Sequence, residues 1–149
     1  MPKLQSGDQA PDFTAKTHDG KVIRLADFLG KQGLVLFFYP KDGTPICTQE
    51  ACAFRDSYEK FVEAGFQVLG VSRDSAERHQ QFINEHRLPF PLVSDEDGSP
   101  SRAFGVSKGM GLLPGRSTFV IDSDGVVQMA YSAQFASEGH VQQALAALH

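Results

Sequence analysis

The sequence predicts an α/β protein with a mixed central β-sheet and helices on both faces. Three observations lead to this fold class. Apolar runs of strand length alternate with segments of helical periodicity through the first two thirds of the chain. Residues 34–39 (LVLFFY) form a continuous apolar run, typical of a strand buried on both faces. The chain closes with a predicted hairpin and an amphipathic helix, which adds antiparallel strands to a parallel sheet.

The first predicted elements are a β-hairpin and a buried strand. Strands at 13–16 and 21–24 flank Asp19-Gly20, a pair that favours a tight turn. A short helix is expected at 25–29, before the buried strand at 34–39.

A long helix is predicted after the Pro/Gly-rich loop at 40–45. Aromatic residues recur at helical spacing between 46 and 64, and Gly65 stands where a helix would end. The remaining predictions are strands at 66–72, 92–94, 117–122 and 126–131, and helices at 75–86, 101–104 and 137–148. No linker or change in composition divides the chain, so a single domain over residues 1–149 is expected.

Composition excludes several functional classes. Hydrophobic residues make up 41% of the chain, enough for a buried core, and the net charge is −4. A dedicated nucleic-acid binder or a polybasic membrane binder would carry a basic face, so neither partner is expected. No apolar leader is visible, which gives the expectation of a cytoplasmic protein. No nucleotide or flavin motif appears, so no cofactor is expected.

The two cysteines, Cys47 and Cys52, are the most informative residues. Cys47 is predicted in the first turn of the long helix, where unpaired N–H groups and the helix dipole favour a thiolate. Thr44 can offer a hydroxyl to the same place, and Pro45 presets the backbone for a helix start. A reactive Cys47 is therefore predicted.

Five residues separate Cys52 from Cys47. In an intact helix their Cα atoms are roughly 8.6 Å apart and their side chains diverge by about 140°. A disulfide requires Cα atoms within about 7 Å. The pair can therefore bridge only if the first turns of the helix unwind, which suggests a redox cycle coupled to local unfolding.

Other uses of these residues remain open at this point. Cys52 could be a small core residue. Zinc is disfavoured, because none of the five histidines stands at ligand spacing from a cysteine. A Cys/His hydrolase requires a histidine placed by the fold, and no histidine lies in a context that recommends it.

The sequence resembles the peroxiredoxins, and most closely their peroxiredoxin Q (bacterioferritin comigratory protein) group. The resemblance extends over nearly the whole chain. It is carried by residues 7–13 (GDQAPDF), 40–47 (PKDGTPIC), the Cys47–Cys52 spacing and residues 116–122 (RSTFVID). Gly43 and Ile46 depart from the group's usual residues, glycine being common at position 46.

The resemblance implies a thioredoxin-like fold and thiol-dependent reduction of hydrogen peroxide and organic hydroperoxides. Cys47 would become a sulfenic acid, and Cys52 would resolve it as an intramolecular disulfide. Thr44 and Arg116 would donate hydrogen bonds to the reacting atoms, and Pro40 would shield the sulfur from water. With Cys47, the residues Pro40, Thr44, Ile46 and Arg116 would form the peroxide site. Thioredoxin or a similar dithiol would be the reductant, and a monomer is favoured, with a dimer possible.

Each of these residues also has a simpler interpretation. Arg116 could be an ordinary exposed arginine, Thr44 only a helix cap, and Pro40 only the end of a strand. The competing functions are a general thiol–disulfide oxidoreductase, which the lack of Cys-x-x-Cys disfavours, and a redox sensor without turnover.

Overall fold

The computed structural model describes residues 5–96, 98–106, 116–132 and 137–148. The strands are β1 (Thr14–Thr17), β2 (Val22–Arg24), β3 (Gly33–Phe38), β4 (Phe66–Ser72), β5 (Leu92–Ser94), β6 (Ser117–Ile121) and β7 (Val127–Ser132). The helices are α1 (Pro45–Asp56), α2 (Tyr58–Glu63), α3 (Ala76–His86), α4 (Ser99–Ala103) and α5 (Ser137–Ala146). A single 3₁₀ turn at Leu25–Asp27 takes the place of the short helix predicted there.

The described strands form one mixed sheet in the order β2-β1-β5-β4-β3-β6-β7. β3, β4 and β5 are parallel, β6 runs antiparallel to β3, and β7 closes a hairpin with β6. The N-terminal hairpin β1–β2 is joined to the sheet by antiparallel pairing of β1 with β5. The predicted α/β class with a mixed sheet and an N-terminal hairpin is confirmed.

The buried strand β3 supplies side chains to both apolar layers of the molecule. Val35 and Phe37 pack in the layer beneath α1 and α5, where the ring of Phe37 stacks on that of Phe54 at 4.4 Å. Leu36 and Phe38 pack in the layer on the opposite face. A continuous apolar run is what this double burial requires, since successive side chains point to opposite faces.

The single helix predicted at 46–64 is wrong, because the chain leaves helical geometry at Ser57 (φ −103°, ψ 6°). Serine competes for backbone hydrogen bonds and is a weak helix former. The break divides the segment into α1 and α2. Phe54 and Phe61, one on each side of it, are both fully buried with ring centroids 5.7 Å apart.

Helix α3 begins as predicted. Ser75 is its N-cap and accepts a hydrogen bond from the backbone N–H of Arg78. Within the described parts of the chain, no helix has the length and apolar character needed to cross a bilayer.

Candidate active site

Cys47 lies in the first turn of α1, as predicted. β3 ends at Phe38, a loop follows, and Thr44 is the N-cap residue with extended backbone (φ −74°, ψ 152°). Pro45 is the first helical residue, a position where its missing N–H costs nothing. Cys47 is 1% exposed, at the helix end where N–H groups point outward from the helix.

Arg116 is next to this sulfur. Its Nη2 donates to the Sγ of Cys47 at 3.2 Å. The sheet register explains the approach, because Ser117 pairs with Phe38 and so places Arg116 beside the loop that leaves β3. Arg116 is 5% exposed, so the interpretation as a surface arginine does not hold.

Glu50 holds the other side of the same guanidinium. Its Oε1 accepts from Arg116 Nη1 at 2.6 Å, and the residue is fully buried. Burial raises the pKa of Glu50 from its ordinary 4.5 to about 7, although Arg116 acts to lower it. Burial disfavours the charged guanidinium, but Glu50 and Cys47 outweigh it and raise the pKa of Arg116.

His140, from α5, contacts the far side of Glu50. Its Nδ1 lies 3.5 Å from Glu50 Oε2 and 2.7 Å from the hydroxyl oxygen of Thr118 on β6. The imidazole is fully buried and packs edge-on against Tyr131, with centroids 4.8 Å apart. A continuous set of polar contacts therefore leads from the Cys47 sulfur to α5.

The loop before Cys47 is anchored by a second buried polar cluster. Asp42 accepts from the hydroxyl of Tyr39 at 2.5 Å and pairs with His79 Nδ1 at 2.6 Å, while His79 Nε2 donates to the Val93 carbonyl at 3.1 Å. The backbone N–H of Asp42 donates to Asp74 at 2.7 Å. Asp42, Asp74 and His79 offer metal-type ligand atoms, but these atoms already bond within the cluster, so we assign no metal to it.

The remaining predicted site residues lie close to Cys47 along the chain. Pro40 lies in the loop after β3 and Ile46 in the first turn of α1, and both are half-buried. The Thr44 hydroxyl donates to the carbonyl of Lys41 at 2.9 Å, and its side chain makes no capping bond to the helix. Thr44 is therefore the N-cap by backbone position, while its side chain does not cap the helix.

Cys52 lies half-buried on the same helix as Cys47. α1 is unbroken from Pro45 to Asp56, and both cysteines are free. Regular helical geometry keeps two such positions beyond bridging distance. The structure thus shows the pair in the separated arrangement expected of an intact helix.

The sequence patterns assigned no role to Asp42, His79 or His140. Periodicity held a signal for the histidines. His79 shares the inward face of α3 with Phe82, and His140 that of α5 with Ala144. A histidine on an apolar helix face needs a buried polar partner, but the sequence does not show which partner the fold brings to it.

Known proteins resemble this chain in sequence. Residues 6–130 match the model of the AhpC/TSA family. Peroxiredoxin Q of Sedum lineare, named as chloroplastic, is 47% identical over 96% of this chain and 77% of that protein. Chloroplastic peroxiredoxin Q of Triticum aestivum is 49% identical over 96% of this chain and 66% of its own.

Two solved structures share the fold closely. Peroxidoxin BcpB from Mycobacterium tuberculosis superposes with a TM-score of 0.90 at 38% identity, covering 97% of this chain and 96% of that one. The Xanthomonas campestris bacterioferritin comigratory protein gives a TM-score of 0.82 at 37% identity, covering 91% and 89%. That structure is described in terms of alkyl peroxide reduction activity.

The expectation of a cytoplasmic location is contradicted by this comparison, because both plant relatives are named as chloroplastic. Compartment is set by targeting segments and not by the packing of the domain. The residues that build the domain therefore gave no basis for predicting its compartment.

Proposed function

The chain belongs to the AhpC/TSA family, in its peroxiredoxin Q group, with a thioredoxin-like fold and the activity of a thiol-dependent peroxidase; from this we propose that Cys47 is the peroxidatic cysteine and Cys52 the resolving one. The observation that carries the proposal is the 3.2 Å contact of Arg116 Nη2 with the Cys47 sulfur at a helix start. A cationic donor beside a buried sulfur stabilises the thiolate, which is the nucleophile.

In the first step the Cys47 thiolate attacks one oxygen of the peroxide. The S–O bond forms as the O–O bond breaks, the sulfur is oxidised to sulfenic acid, and the second oxygen leaves as an alcohol or water after taking up a proton. Negative charge develops on that leaving oxygen. Arg116 is positioned to donate to it, and fixed donors of this kind lower the barrier.

Pro40 and Ile46 form the walls of the peroxide site in this proposal, since both are half-buried at the ends of the Cys47 loop. The Thr44 hydroxyl can both donate and accept a hydrogen bond. Before substrate enters, it donates to the Lys41 carbonyl, and this bond orients the lone pairs of the hydroxyl oxygen. When the peroxide enters, the hydroxyl exchanges this bond for a hydrogen bond to the peroxide.

In the second step the thiol of Cys52 attacks the sulfenic sulfur of Cys47. An S–S bond forms, the S–O bond breaks, and the hydroxyl leaves as water with the proton of Cys52. Because α1 holds the two residues apart, its first turns unwind before this attack. A dithiol such as thioredoxin then reduces the disulfide by exchange and is itself oxidised.

Cys47→Ser is expected to abolish peroxide turnover, because serine is a far weaker nucleophile at neutral pH. Cys52→Ser is the matched variant and is expected to form the sulfenic acid at a normal rate but not to recycle with thioredoxin. Stopped-flow mixing with hydrogen peroxide and intact mass after one equivalent of oxidant measure both steps. Full activity in Cys47→Ser would refute the assignment. Loss of two hydrogens from the wild type, with both thiols blocked to alkylation, would support it.

We further propose that residues 1–149 act as one domain and as a monomer. Support comes from the single sheet that includes all described strands and from the position of both cysteines on one helix, so that the cycle needs no second chain. Light scattering of the reduced and oxidised protein tests this, and a stable dimer in both states would contradict it.

A further inference from the structure

We propose that Glu50 makes the unwinding of α1 a proton-releasing step: its buried carboxyl group, with one oxygen lacking a donor among the described residues, holds a proton more readily in the folded site than in water and releases it when the helix carries it into solvent. Glu50 is a positioning residue in this view and does not touch the peroxide. The inference rests on the proposed function, because unwinding of α1 has a use only if Cys47 and Cys52 form a disulfide. Its test does not depend on that disulfide.

Glu50 has to move if the two cysteines are to meet, because it lies between them on the helix. The segment on each side is held. Before it, Asp42 bonds to His79, and Asp74 accepts from the Asp42 N–H. After it, Arg55 Nη1 donates to the carbonyl of His86 at 2.8 Å. Unwinding is thereby confined to residues between these anchors, and Glu50 is the buried carboxyl among them.

The two carboxyl oxygens of Glu50 differ in the hydrogen bonds that they accept in the buried site. Oε1 receives the Arg116 hydrogen bond, whereas Oε2 finds no hydrogen-bond donor among the described residues and has the Nδ1 of His140 at 3.5 Å. A buried carboxylate with no donor to one of its oxygens is disfavoured relative to the neutral acid.

Within the described ranges, the charged and titratable groups that contact Glu50 come from three elements. They are Cys47 on α1 itself, Arg116 at the start of β6 and His140 on α5, which in turn packs against Tyr131 of β7. Arg116 divides its two terminal nitrogens between Glu50 and the Cys47 sulfur. One cation therefore serves two acidic groups, which limits how far it offsets the burial of Glu50.

The direction of the pH effect follows from linkage. Burial raises the pKa of Glu50 to about 7 in the folded helix, and exposure returns it towards its ordinary 4.5. Between these values the folded helix binds a proton that the unwound helix does not. Raising the pH through this window therefore favours unwinding, and the effect levels off above the folded value. Acid holds the helix closed and slows formation of the disulfide.

Amide hydrogen exchange of residues 48–52 in the reduced protein tests the inference, after correction for the intrinsic pH dependence of exchange. The opening equilibrium of the wild type, divided by that of the neutral isostere Glu50→Gln, is expected to rise roughly 30- to 100-fold from pH 5 to pH 8. Taking this ratio cancels the proton that the Cys47 thiolate takes up when the helix unwinds, because both proteins keep Cys47. Glu59→Gln on α2, an exposed position, is the matched control and should behave as the wild type. A ratio that does not change with pH would overturn the proposal.

A carbon-13 NMR titration of the wild-type Glu50 carboxyl gives a second measurement that needs no variant. A midpoint near 7 supports the inference, and a midpoint near 4.5 overturns it. Both experiments are done without peroxide. If the protein forms no Cys47–Cys52 disulfide but the Glu50 proton linkage is observed, the proposed function alone is refuted. If the protein is an active peroxidase but Glu50 makes no difference to the pH dependence of exchange, this inference alone is refuted.

Discussion

Arg116 is the residue through which the Cys47 sulfur is connected to the rest of the buried site. Its two terminal nitrogens reach two different acidic groups, the sulfur at 3.2 Å and Glu50 at 2.6 Å. A planar guanidinium suits this double contact, and a lysine ammonium would not reproduce its geometry. The orientation of the donor towards the sulfur is thus set by a carboxylate on the same helix as that sulfur.

Arg116→Ala is expected to slow sulfenic acid formation by about 10²–10³-fold, because it removes a donor to the developing charge. It also leaves Glu50 buried without its cation. Stopped-flow rates at several peroxide concentrations measure the effect. Arg102→Ala, at an exposed position on α4, is the control and should react as the wild type. An unchanged rate in Arg116→Ala would remove Arg116 from the reaction.

At the scale of elements, the site depends on where β3 ends and α1 begins. The apolar β3 is fixed by neighbours on both sides, parallel β4 and antiparallel β6. The chain then turns through a loop and enters a helix whose first turn carries the sulfur. The carboxyl end of a buried strand is where open α/β sheets commonly bind ligands.

The packing of β4 against β3 leaves no room for a side chain at Gly70. A Cβ atom there would lie 2.6 Å from Leu92 Cδ2 and 2.8 Å from Phe37 Cζ. Gly70→Ala is therefore expected to lower the free energy of unfolding by about 1–3 kcal/mol through overpacking. Urea denaturation followed by circular dichroism measures this. A stability equal to that of the wild type would mean that the sheet and helix layer repack without strain.

At the scale of the whole molecule, the Asp42–His79 pair ties the active-site loop to α3 and β5. Both ring nitrogens of His79 face acceptors, a carboxylate and a carbonyl, and the imidazole is fully buried. Removing one member of a buried hydrogen-bonded pair leaves the other without that partner. The position of the loop before Cys47 is thereby coupled to the stability of the fold.

His79→Asn is expected to cost about 1–3 kcal/mol in the free energy of unfolding, since it removes the imidazole from the buried Asp42 carboxyl, which keeps the Tyr39 hydroxyl. Loosening of the loop should also slow the reaction with peroxide. Denaturant unfolding and stopped-flow kinetics measure the two effects. His86→Asn on the same helix, where the side chain is 27% exposed, is the control and should be near neutral. If His79→Asn proved as stable as that control, the pair would not anchor the loop.

Much of this protein follows from local patterns in its sequence. The apolar run at 34–39 predicted β3, the Pro-rich loop before Cys47 predicted a helix start, and the Cys47–Cys52 spacing predicted that an intact helix keeps the two sulfurs apart. These features depend on periodicity and helical geometry, which neighbouring residues determine.

Only the tertiary structure decided the partners of the buried polar groups. Arg116 is 66 residues from Glu50 in the chain, and His79 is 37 from Asp42. Such pairs depend on strand order and on which helix face turns inward, and no local pattern encodes them. The break at Ser57 is of the same kind, because its apolar spacing fits one long helix and the chain nonetheless leaves helical geometry there. The sequence by itself determined the position of Cys47 at the start of its helix, and the fold determined the charged groups beside it, because electrostatic partners are chosen by distance in space.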